Sequence, residues 1–474
     1  MQPRRHLILA ICCMSLLIIS LDVTIVNVAL PAMAEDLDAP VSGLQWIIDA
    51  YLLVLASLLI LAGSTGDRIG RRRVFQAGLA LFTIGSLLCS LAPSLEWLIA
   101  FRTVQAVGGS MLNPVAMSII TNTFTEPRER ARAIGVWGAV TGFSMALGPL
   151  AGGVLVHAFG WPSIFWINVP VGIVAFLLAW RFIPESRAEH PRRLDPVGQI
   201  LVFTMLAALT FGIIEGPAEG WSSPVIVGCF TLAAAALATL LWWEPRREEP
   251  LIELRFFRSA PFSGAVLVAI SAFASLGGFL FLNTLYLQEV RHLTALQAGL
   301  YTLPMAVMTI VASPLSGRLV GTRGTRLPLR IAGLSMALGI LPLTWAGPAT
   351  PAWQLFAGYL LFGFGFGMVN TPITNTAVSG MPRARAGVAA AIASTSRQVG
   401  SALGVAVIGA VVASGSTPAD PPGWWVLLAL GLTVLAVGHA TSGPWARSTA
   451  PQPAPVTPSV PDVPQLPPAG TPRR

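Results

Sequence analysis

Three ionisable side chains, Asp22, Asp49 and Arg102, lie inside long apolar segments of this sequence. A charge placed in hydrocarbon costs at least about 2–3 kcal/mol, so such residues are functional candidates by default. Measured from the outer end of its segment, Asp22 is about 12 Å deep and Arg102 about 9 Å deep, at a rise of about 1.5 Å per helical residue. An acid and an arginine at similar depth on different helices can form an ion pair, which lowers the cost of burying both.

The Asp22–Arg102 pair has two interpretations. It either holds two helices together, or Asp22 takes up and releases a proton while Arg102 stabilises the ionised form. Gln105 lies one turn after Arg102 on the same helix face and can hold this geometry by hydrogen bonding. Asp49, about 7 Å deep, is either a second site for a proton or cation, or a carboxylate that water reaches from outside. We predict that Asp22, Arg102 and Asp49 carry proton coupling.

Arg397 lies in the thirteenth apolar segment, and two interpretations of it stay open. Its long side chain can carry the guanidinium to the cytoplasmic surface while the backbone stays in the membrane. Alternatively Arg397, together with Gln105, contacts the substrate or a counter-ion.

Several classes of enzyme are excluded by composition. All 29 basic residues are arginine and the chain has no lysine, so it has neither a phosphate-binding Walker A lysine nor a Schiff-base lysine. The four cysteines lie in apolar runs, where cysteine is usually a small buried hydrophobe, and no metal framework is indicated. We expect no enzyme activity, no cofactor and no metal, which leaves a proton gradient as the energy source.

The elements that position these residues are membrane-spanning helices. The chain has 474 residues, of which 54% are hydrophobic and 11% charged, too apolar for a soluble protein. Its formal charge is +8. Because the basic residues are scattered over short loops and do not form a patch, we expect no nucleic-acid binding. Each apolar segment has about the 20 residues that a spanning helix needs. The segments are residues 7–31, 44–65, 74–93, 96–120, 133–157, 162–183, 196–216, 223–243, 261–287, 297–320, 328–346, 353–378, 387–413 and 423–442.

Arginine distribution supports fourteen spans with both termini in the cytoplasm, because arginine is enriched in cytoplasmic loops. Arg102, Arg291 and Arg397 are the exceptions to the alternation. We expect the first segment to be retained rather than cleaved as a signal peptide, since it is about twice as long as a signal core. The arginine-bearing stretches are residues 4–5, 68–73, 128–132, 181–193, 246–258, 318–330, 383–385 and 447–474.

Two glycine-containing motifs are not explained by spanning alone. Residues 63–73 form a charged turn between the second and third segments, and the fifth segment has a proline among glycines. Proline removes a backbone hydrogen bond and glycine allows close helix approach, so we predict a kinked, tightly packed fifth helix. The residues concerned are Gly63, Asp67, Arg68, Gly70 and Arg71 in the turn, and Gly148, Pro149, Gly152 and Gly153 in the fifth segment.

These motifs resemble those of the major facilitator superfamily, in its fourteen-helix drug:proton antiporter branch. The matching stretches are LDVTIVNVALP at residues 21–31, GSTGDRIGRRR at 63–73, RTVQ at 102–105, GPLAGG at 148–153 and WINVPVG at 166–172. The resemblance implies a rocker-switch exporter in which Asp67 and Arg71 latch the cytoplasmic side in the outward-facing state. Asp49 is similar to an acid of exporters of quaternary ammonium compounds, which favours cationic lipophilic substrates.

The predicted architecture is an all-α integral membrane protein with two six-helix halves, residues 1–183 and 259–445. Residues 184–258 would insert helices 7 and 8 between them, and residues 446–474, rich in proline, would be a disordered cytoplasmic tail. We expect a monomer in a bacterial cytoplasmic membrane that exports lipophilic drugs or antibiotics in exchange for protons. An importer or metabolite carrier on the same fold, and a membrane sensor that transports nothing, are the alternatives.

Overall fold

The structure is a computed structural model that describes residues 2–188, 194–378 and 386–449, and over these ranges it contains helices and no strand. The first group of helices is α1 (Gln2–Asp36), α2 (Val41–Ile69), α3 (Arg71–Ser90), α4 (Leu95–Thr123), α5 (Pro127–Phe159), α6 (Ser163–Trp166) and α7 (Asn168–Phe182). Two helices follow, α8 (Pro196–Glu219) and α9 (Pro224–Trp243). The second group is α10 (Ala260–Leu285), α11 (Ala295–Arg323), α12 (Arg326–Ile340), α13 (Ala352–Gly367), α14 (Asn370–Val378), α15 (Ala386–Ala413), α16 (Pro421–Thr441) and α17 (Pro444–Ser448).

Twelve helices in the described ranges are long and apolar enough to cross a bilayer, or up to thirteen if the bent helix α5 counts as one span. The predicted all-helical membrane fold is therefore confirmed, whereas the predicted fourteen spans are not. The long helix outside this set is α4, which has 29 residues but carries the buried polar side chains of Arg102 and Gln105.

The predicted kink of α5 is present. The axis bends by 41° between its two parts, 128–144 and 147–159. The bend lies just before Pro149, whose ring clashes with the carbonyl group four residues earlier in a straight helix.

The predicted proline-rich tail falls almost entirely outside the described ranges. Its first residues belong to the short helix α17 or directly follow it, and the described chain ends at residue 449. The expectation of a disordered tail concerns residues 450–474, which lie outside the described ranges.

Small residues bring helices close together in both groups. In the first group, a Cβ atom on Gly148 would lie 1.9 Å from Thr24 Oγ1, so α5 packs directly on α1. In the second group, a Cβ atom on Gly404 would lie 2.1 Å from the carbonyl oxygen of Ala274, so α15 packs directly on α10. The same kind of contact therefore recurs between corresponding helices of the two groups.

Helices α8 and α9 pack on each other, and α8 also contacts α2 and α15. Gln199 Nε2 donates a hydrogen bond to the carbonyl oxygen of Ser57 at 2.5 Å. Near the other end of α8, Trp46 Nε1 donates to Glu215 Oε1 at 2.7 Å. Helix α8 thus covers the line along which α2 of the first group meets α15 of the second.

The two groups also meet along α5 and α11, and these helices diverge along their length. Near one end, a Cβ atom on Gly153 would lie 2.6 Å from Leu296 Cα. Farther along, a Cβ atom on Gly142 would meet only the Ile310 side chain, at 3.3 Å. About two turns closer to the start of α5, a Cβ atom on Gly135 would meet nothing within 4 Å. The groups are therefore in contact at the end opposite the arginine-rich loops and separate towards those loops.

Candidate functional site

An ion pair lies buried between α1 and α4. Arg102 Nη1 donates to Asp22 Oδ2 at 2.5 Å, and the two side chains are 1% and 0% exposed. Arg102 Nε also donates to the carbonyl oxygen of Ile47 on α2, at 3.1 Å. The structure thus brings together the acid and the arginine whose similar depth predicted a pair, and it fixes the arginine to a third helix.

Amide and hydroxyl side chains complete the hydrogen bonding of this pair. Gln105 Nε2 donates to Asp22 Oδ1 at 2.8 Å and its Oε1 accepts from Arg102 at 2.7 Å. Asn168, the first residue of α7, donates to Asp22 Oδ1 at 3.1 Å. Ser86 Oγ on α3 accepts from both amides, at 2.7 Å from Gln105 and 3.2 Å from Asn168. We call these five residues the Asp22 cluster.

Aromatic rings cover the guanidinium of Arg102. Its Cζ atom lies 4.2 Å from the ring centre of Tyr51 and 5.8 Å from that of Phe165. A cation near the face of an aromatic ring is attracted by the negative charge on that face. Because both rings and all five cluster residues are buried, the site is shielded from water in this conformation.

The opposite charges of the Asp22 cluster compensate each other inside the protein. Arg102, Gln105 and Asn168 all donate to Asp22, so both of its carboxylate oxygens have hydrogen-bond partners. A proton on Asp22 would neutralise the carboxylate and leave Arg102 buried without its counter-charge, which is strongly unfavourable. Proton uptake by Asp22 would therefore require Arg102 to move or to bind another partner. A change in the charge on Asp22 would then be accompanied by a change in the relative positions of α1 and α4.

Close packing at glycine positions the cluster. A Cβ atom on Gly85 of α3 would lie 2.6 Å from Gln105 Cα, so α3 and α4 touch beside the cluster. A Cβ atom on Gly172 of α7 would lie 2.0 Å from Thr83 Oγ1 of α3. The hydrogen-bond lengths within the cluster depend on these contacts, since larger residues would separate the helices.

Asp49 lies apart from this cluster. It is fully buried on α2, and neither carboxylate oxygen has a hydrogen-bond partner in the part of the chain that the structure describes. The structure therefore does not join Asp49 to the Asp22–Arg102 pair, although the depths of the three residues are similar.

The residues predicted to form a charged turn are mostly helical. Helix α2 continues through Gly63, Asp67 and Arg68 to Ile69, and the chain reverses at Gly70, whose φ is +123°. Ser64 and Thr65 each donate to a carbonyl four residues earlier, so both hydroxyl groups are satisfied within the helix. The turn itself is thus a single glycine in a conformation that L side chains rarely adopt.

The charges of this motif are bound within the first group of helices. Arg71 Nη2, at the start of α3, lies 2.9 Å from Asp67 Oδ1 near the end of α2. Glu185, just after α7, accepts from the backbone N–H of Arg72 at 3.1 Å and lies 3.7 Å from Arg73 Nε. Arg68 is exposed. In this conformation the motif ties α2 and α3 to the segment after α7.

The glycines of α5 face both groups. Gly148 and Gly152 pack on α1. On the opposite side, the Pro149 carbonyl oxygen would lie 2.2 Å from a Cβ atom on Gly299 of α11, and Gly153 contacts Leu296. The motif therefore sits where the two groups meet and beside the helix that carries Asp22.

Arg397 on α15 has a neutral partner. Its Nη1 lies 3.4 Å from Thr374 Oγ1 on α14, and no acidic side chain within the described ranges lies within ion-pair distance. The side chain of Arg397 is half-buried. Thr374 is four residues before the last residue of α14, Val378, so the guanidinium points towards the arginine-rich end.

Sequence reasoning did not assign Ser86 or Asn168 to the site. Asn168 stands in the stretch 166–172 that carries the family resemblance, so a signal for it existed. Ser86 is one serine in an apolar segment, and its place in the cluster follows only from the packing of α3 against α4 and α7.

The fold and the site define a helical membrane transporter whose two groups of helices close at one end. The chain belongs to the Major Facilitator Superfamily, whose family model matches residues 12–405. This membership agrees with the expectation that the chain is not an enzyme, and makes it a multi-pass membrane protein.

The relatives are named as resistance or export proteins. The chain is 38% identical to the multidrug resistance protein Stp of Mycobacterium tuberculosis, over 85% of this chain and 74% of that protein. It is 36% identical to the tetracenomycin C resistance and export protein of Streptomyces glaucescens, over 86% and 76% of the two chains. A solved structure of a bacterial homolog to the human lysosomal transporter Spinster, in an inward-facing and occupied conformation, has a TM-score of 0.66. It is 17% identical over 96% of this chain and 100% of that chain, and shows the fold alone.

Proposed function

We propose that this protein exports lipophilic drugs or antibiotics across a bacterial cytoplasmic membrane in exchange for protons. The observation that carries the proposal is the buried Asp22–Arg102 pair. The Asp22 carboxylate accepts hydrogen bonds from three side chains, and it is the carboxylate that balances the charge of Arg102. Such a pair cannot change its protonation without rearrangement. The export direction is supported by relatives that are named as resistance and export proteins.

Membership of the fourteen-helix branch is part of this proposal. Helices α8 and α9 lie between the two groups in sequence, as the inserted pair of that branch would. Helix α4 is 29 residues long, about 44 Å at about 1.5 Å per residue, which exceeds the thickness of a hydrocarbon core. Both termini would be cytoplasmic, because arginine-rich loops stay on that side.

The transport cycle follows from this orientation. The groups touch at the end away from the arginine-rich loops, so the described conformation would be inward-facing. A drug enters from the cytoplasm, the groups rock, and the drug leaves on the outer side. Protonation of Asp22 from outside releases Arg102 and favours the return. Asp67 and Arg71 would exchange contacts with the second group when the cytoplasmic side closes.

Substrate selection would depend on apolar packing with few directed contacts, which is common in binding sites that accept several ligands. Asp49 and Arg397 lie inside apolar helices and form no ion pair within the described ranges, so they are candidates for directed contacts, and Asp49 would favour cations when it is ionised. The transporter would act as a monomer with the lipid bilayer, protons and the drug as partners.

The test is accumulation of ethidium, a lipophilic cation, in cells that express the wild-type chain or Asp22→Asn, with and without a protonophore. Wild-type cells should accumulate less dye than empty cells, and both the substitution and the protonophore should remove the difference. Glu219→Gln, which neutralises an exposed acid on α8, is the matched control and should behave as wild type.

Three outcomes would contradict the proposal. Dye export that continues in Asp22→Asn would show that this carboxylate does not couple protons to transport. Higher dye accumulation in wild-type cells than in empty cells would indicate an importer. A sensor that transports nothing would leave accumulation unchanged by expression.

A further inference from the structure

We propose that Asp49 is a proton-binding switch that permits the outer ends of α2 and α15 to close on each other. The carboxylate would hold these helices apart, and the neutral acid would let them pack. The inference rests on the proposed function, since it assigns a second protonation event to the same transport cycle.

Asp49 lies on the face of α2 that meets the second group of helices. One turn earlier, Gln45 Nε2 donates to the carbonyl oxygen of Ala406 on α15 at 2.8 Å. One turn later, Leu53 and Val399 of α15 line the same small crevice. Residues four apart share a helix face, so Asp49 lies between these two contacts. We call the contact region from Gln45 to Leu53 on α2, with its partners on α15, the α2–α15 seam.

The α2–α15 seam is closed on the outer side of Asp49. A Cβ atom on Gly409 would lie 2.2 Å from the side-chain amide carbon of Gln45, so this side chain is pressed against the α15 backbone. Gln45 is itself fully buried. Glycine at 409 and the hydrogen bond to Ala406 together close the route from the outer side to Asp49.

Neither oxygen of Asp49 has a hydrogen-bond partner within the described ranges, and the residue is 0% exposed. Asp22 on α1 has three donors at comparable burial. A carboxylate without donors or a counter-charge is far more costly to bury than a neutral carboxylic acid. The closed seam therefore accommodates Asp49 in its neutral form.

The charged groups on α4, α8 and α15, the helices that pack most extensively on α2, do not compensate Asp49. On α1, Asp22 is bound to Arg102, and the arginines of α3 lie at its first three residues, at the opposite end of α2 from Asp49. On α4, Arg102 faces the opposite side of α2, where it contacts Ile47 and Tyr51. On α8, Glu215 accepts from Trp46, and an acid there would disfavour a second negative charge. On α15, the residues that face Gln45 are uncharged, and Arg397 contacts Thr374 of α14.

The switch follows from these positions. When the outer ends separate, water reaches Asp49 and its proton can pass to that water, leaving a carboxylate. Closing then requires a proton from the outer side to bind a carboxylate oxygen and restore the neutral acid. For one linked proton, the ratio of closed to open molecules changes by up to about tenfold per pH unit.

The experiment measures the distance across the outer end of the seam. Spin labels are attached at Ser42→Cys on α2 and at Ser414→Cys, the residue directly after α15, once alanine has replaced Cys12, Cys13, Cys89 and Cys229. The full chain is placed in lipid nanodiscs, and distances are recorded by electron resonance in buffers of about pH 5 and about pH 9. We expect short distances at low pH and a larger population of long distances at high pH.

Asp49→Asn and Asp49→Leu cannot ionise, so both should keep a larger population of short distances than wild type at about pH 9, and any smaller pH response that remains is the part that Asp22 contributes. Ser57→Ala is the matched control, because Ser57 is a buried polar residue of α2 whose carbonyl faces α8; it should respond to pH as wild type does. A wild-type pH response in either Asp49 variant would overturn the inference, as would a wild-type seam that does not respond to pH.

Asp22→Asn separates this inference from the proposed function. If it abolishes drug export but leaves the pH response of the labelled seam, both proposals stand. If Asp22→Asn leaves proton-coupled export intact while both Asp49 variants lose the pH response, the proposed role of Asp22 fails and the seam switch stands.

Discussion

Substituting Arg102 with glutamine should damage the protein in two separable ways. The variant removes the only carboxylate-bound cation of the Asp22 cluster and leaves Asp22 buried with its amide donors, Gln105 and Asn168. We expect a less stable protein and complete loss of proton-coupled export. The companion variant, Asp22→Asn with Arg102→Gln, removes both charges together.

The expected size of the effect comes from the interactions that the guanidinium makes. Arg102 donates to Asp22 at 2.5 Å, to Gln105 at 2.7 Å and to the Ile47 carbonyl at 3.1 Å, and its guanidinium lies over the Tyr51 ring. Removing one partner of a buried ion pair costs about 3–5 kcal/mol, whereas replacing both partners with neutral groups is often close to neutral. The double variant should therefore recover most of the stability that the single variant loses.

The assay is the thermal unfolding midpoint of each purified variant in one detergent, together with dye export from cells. Arg102→Gln should unfold several degrees below wild type, and the double variant should unfold close to wild type while exporting nothing. Restored export in the double variant would refute the reasoning, because it would make the pair a structural link between α1 and α4. Equal destabilisation of both variants would refute the energetic argument.

Two glycine substitutions test the positions of the helices. Gly148→Ala places a Cβ atom 1.9 Å from Thr24 Oγ1, about 1.5 Å too close for ordinary contact, and should cost about 1–3 kcal/mol and impair export. Gly135→Ala on the same helix meets nothing within 4 Å and should leave unfolding and export unchanged; equal effects of the two would contradict the packing argument. Gly70→Ala, at a φ of +123° and 2.6 Å from Glu185 Oε1, should lower stability by about 1–3 kcal/mol. The midpoint of thermal unfolding measures this loss, and an unchanged midpoint would show that the turn tolerates a side chain.

The pairing of Asp22 with Arg102 was accessible from the sequence because charge and depth in a membrane restrict the possible partners. Helical periodicity also placed Gln105 beside Arg102. Ser86 could not be found in this way, since a serine in an apolar segment is commonly a packing residue. Its role depends on the contact of α3 with α4, which no local pattern of the sequence contains.

The position of Asp49 in the α2–α15 seam could be predicted from the sequence only in part. Gln45, Asp49 and Leu53 are spaced four residues apart, and this spacing predicts that they share one face of the helix. The sequence does not say which helix that face meets, because the contact with α15 joins residues more than 350 positions apart. Depth in the membrane therefore does not identify the helix that Asp49 faces.

The ends of helices were the least predictable feature. The apolar pattern predicts that the second segment ends near residue 65, and α2 continues to Ile69. The last turn of α2 carries the charged residues Asp67 and Arg68, which lie beyond the apolar span, and Asp67 pairs across the reversal with Arg71, the first residue of α3. Hydropathy marks where a helix leaves the apolar layer, and the glycine marks where the helix ends.

The most direct test of proton-coupled export uses purified protein in liposomes that enclose a pH-sensitive dye. Adding ethidium to one side of a membrane held at an imposed pH difference should start proton movement in the opposite direction with the wild-type chain. Liposomes with Asp22→Asn should show neither proton movement nor pH-driven ethidium transport. Ethidium transport without proton movement in the wild type, or unchanged coupling in Asp22→Asn, would contradict the account.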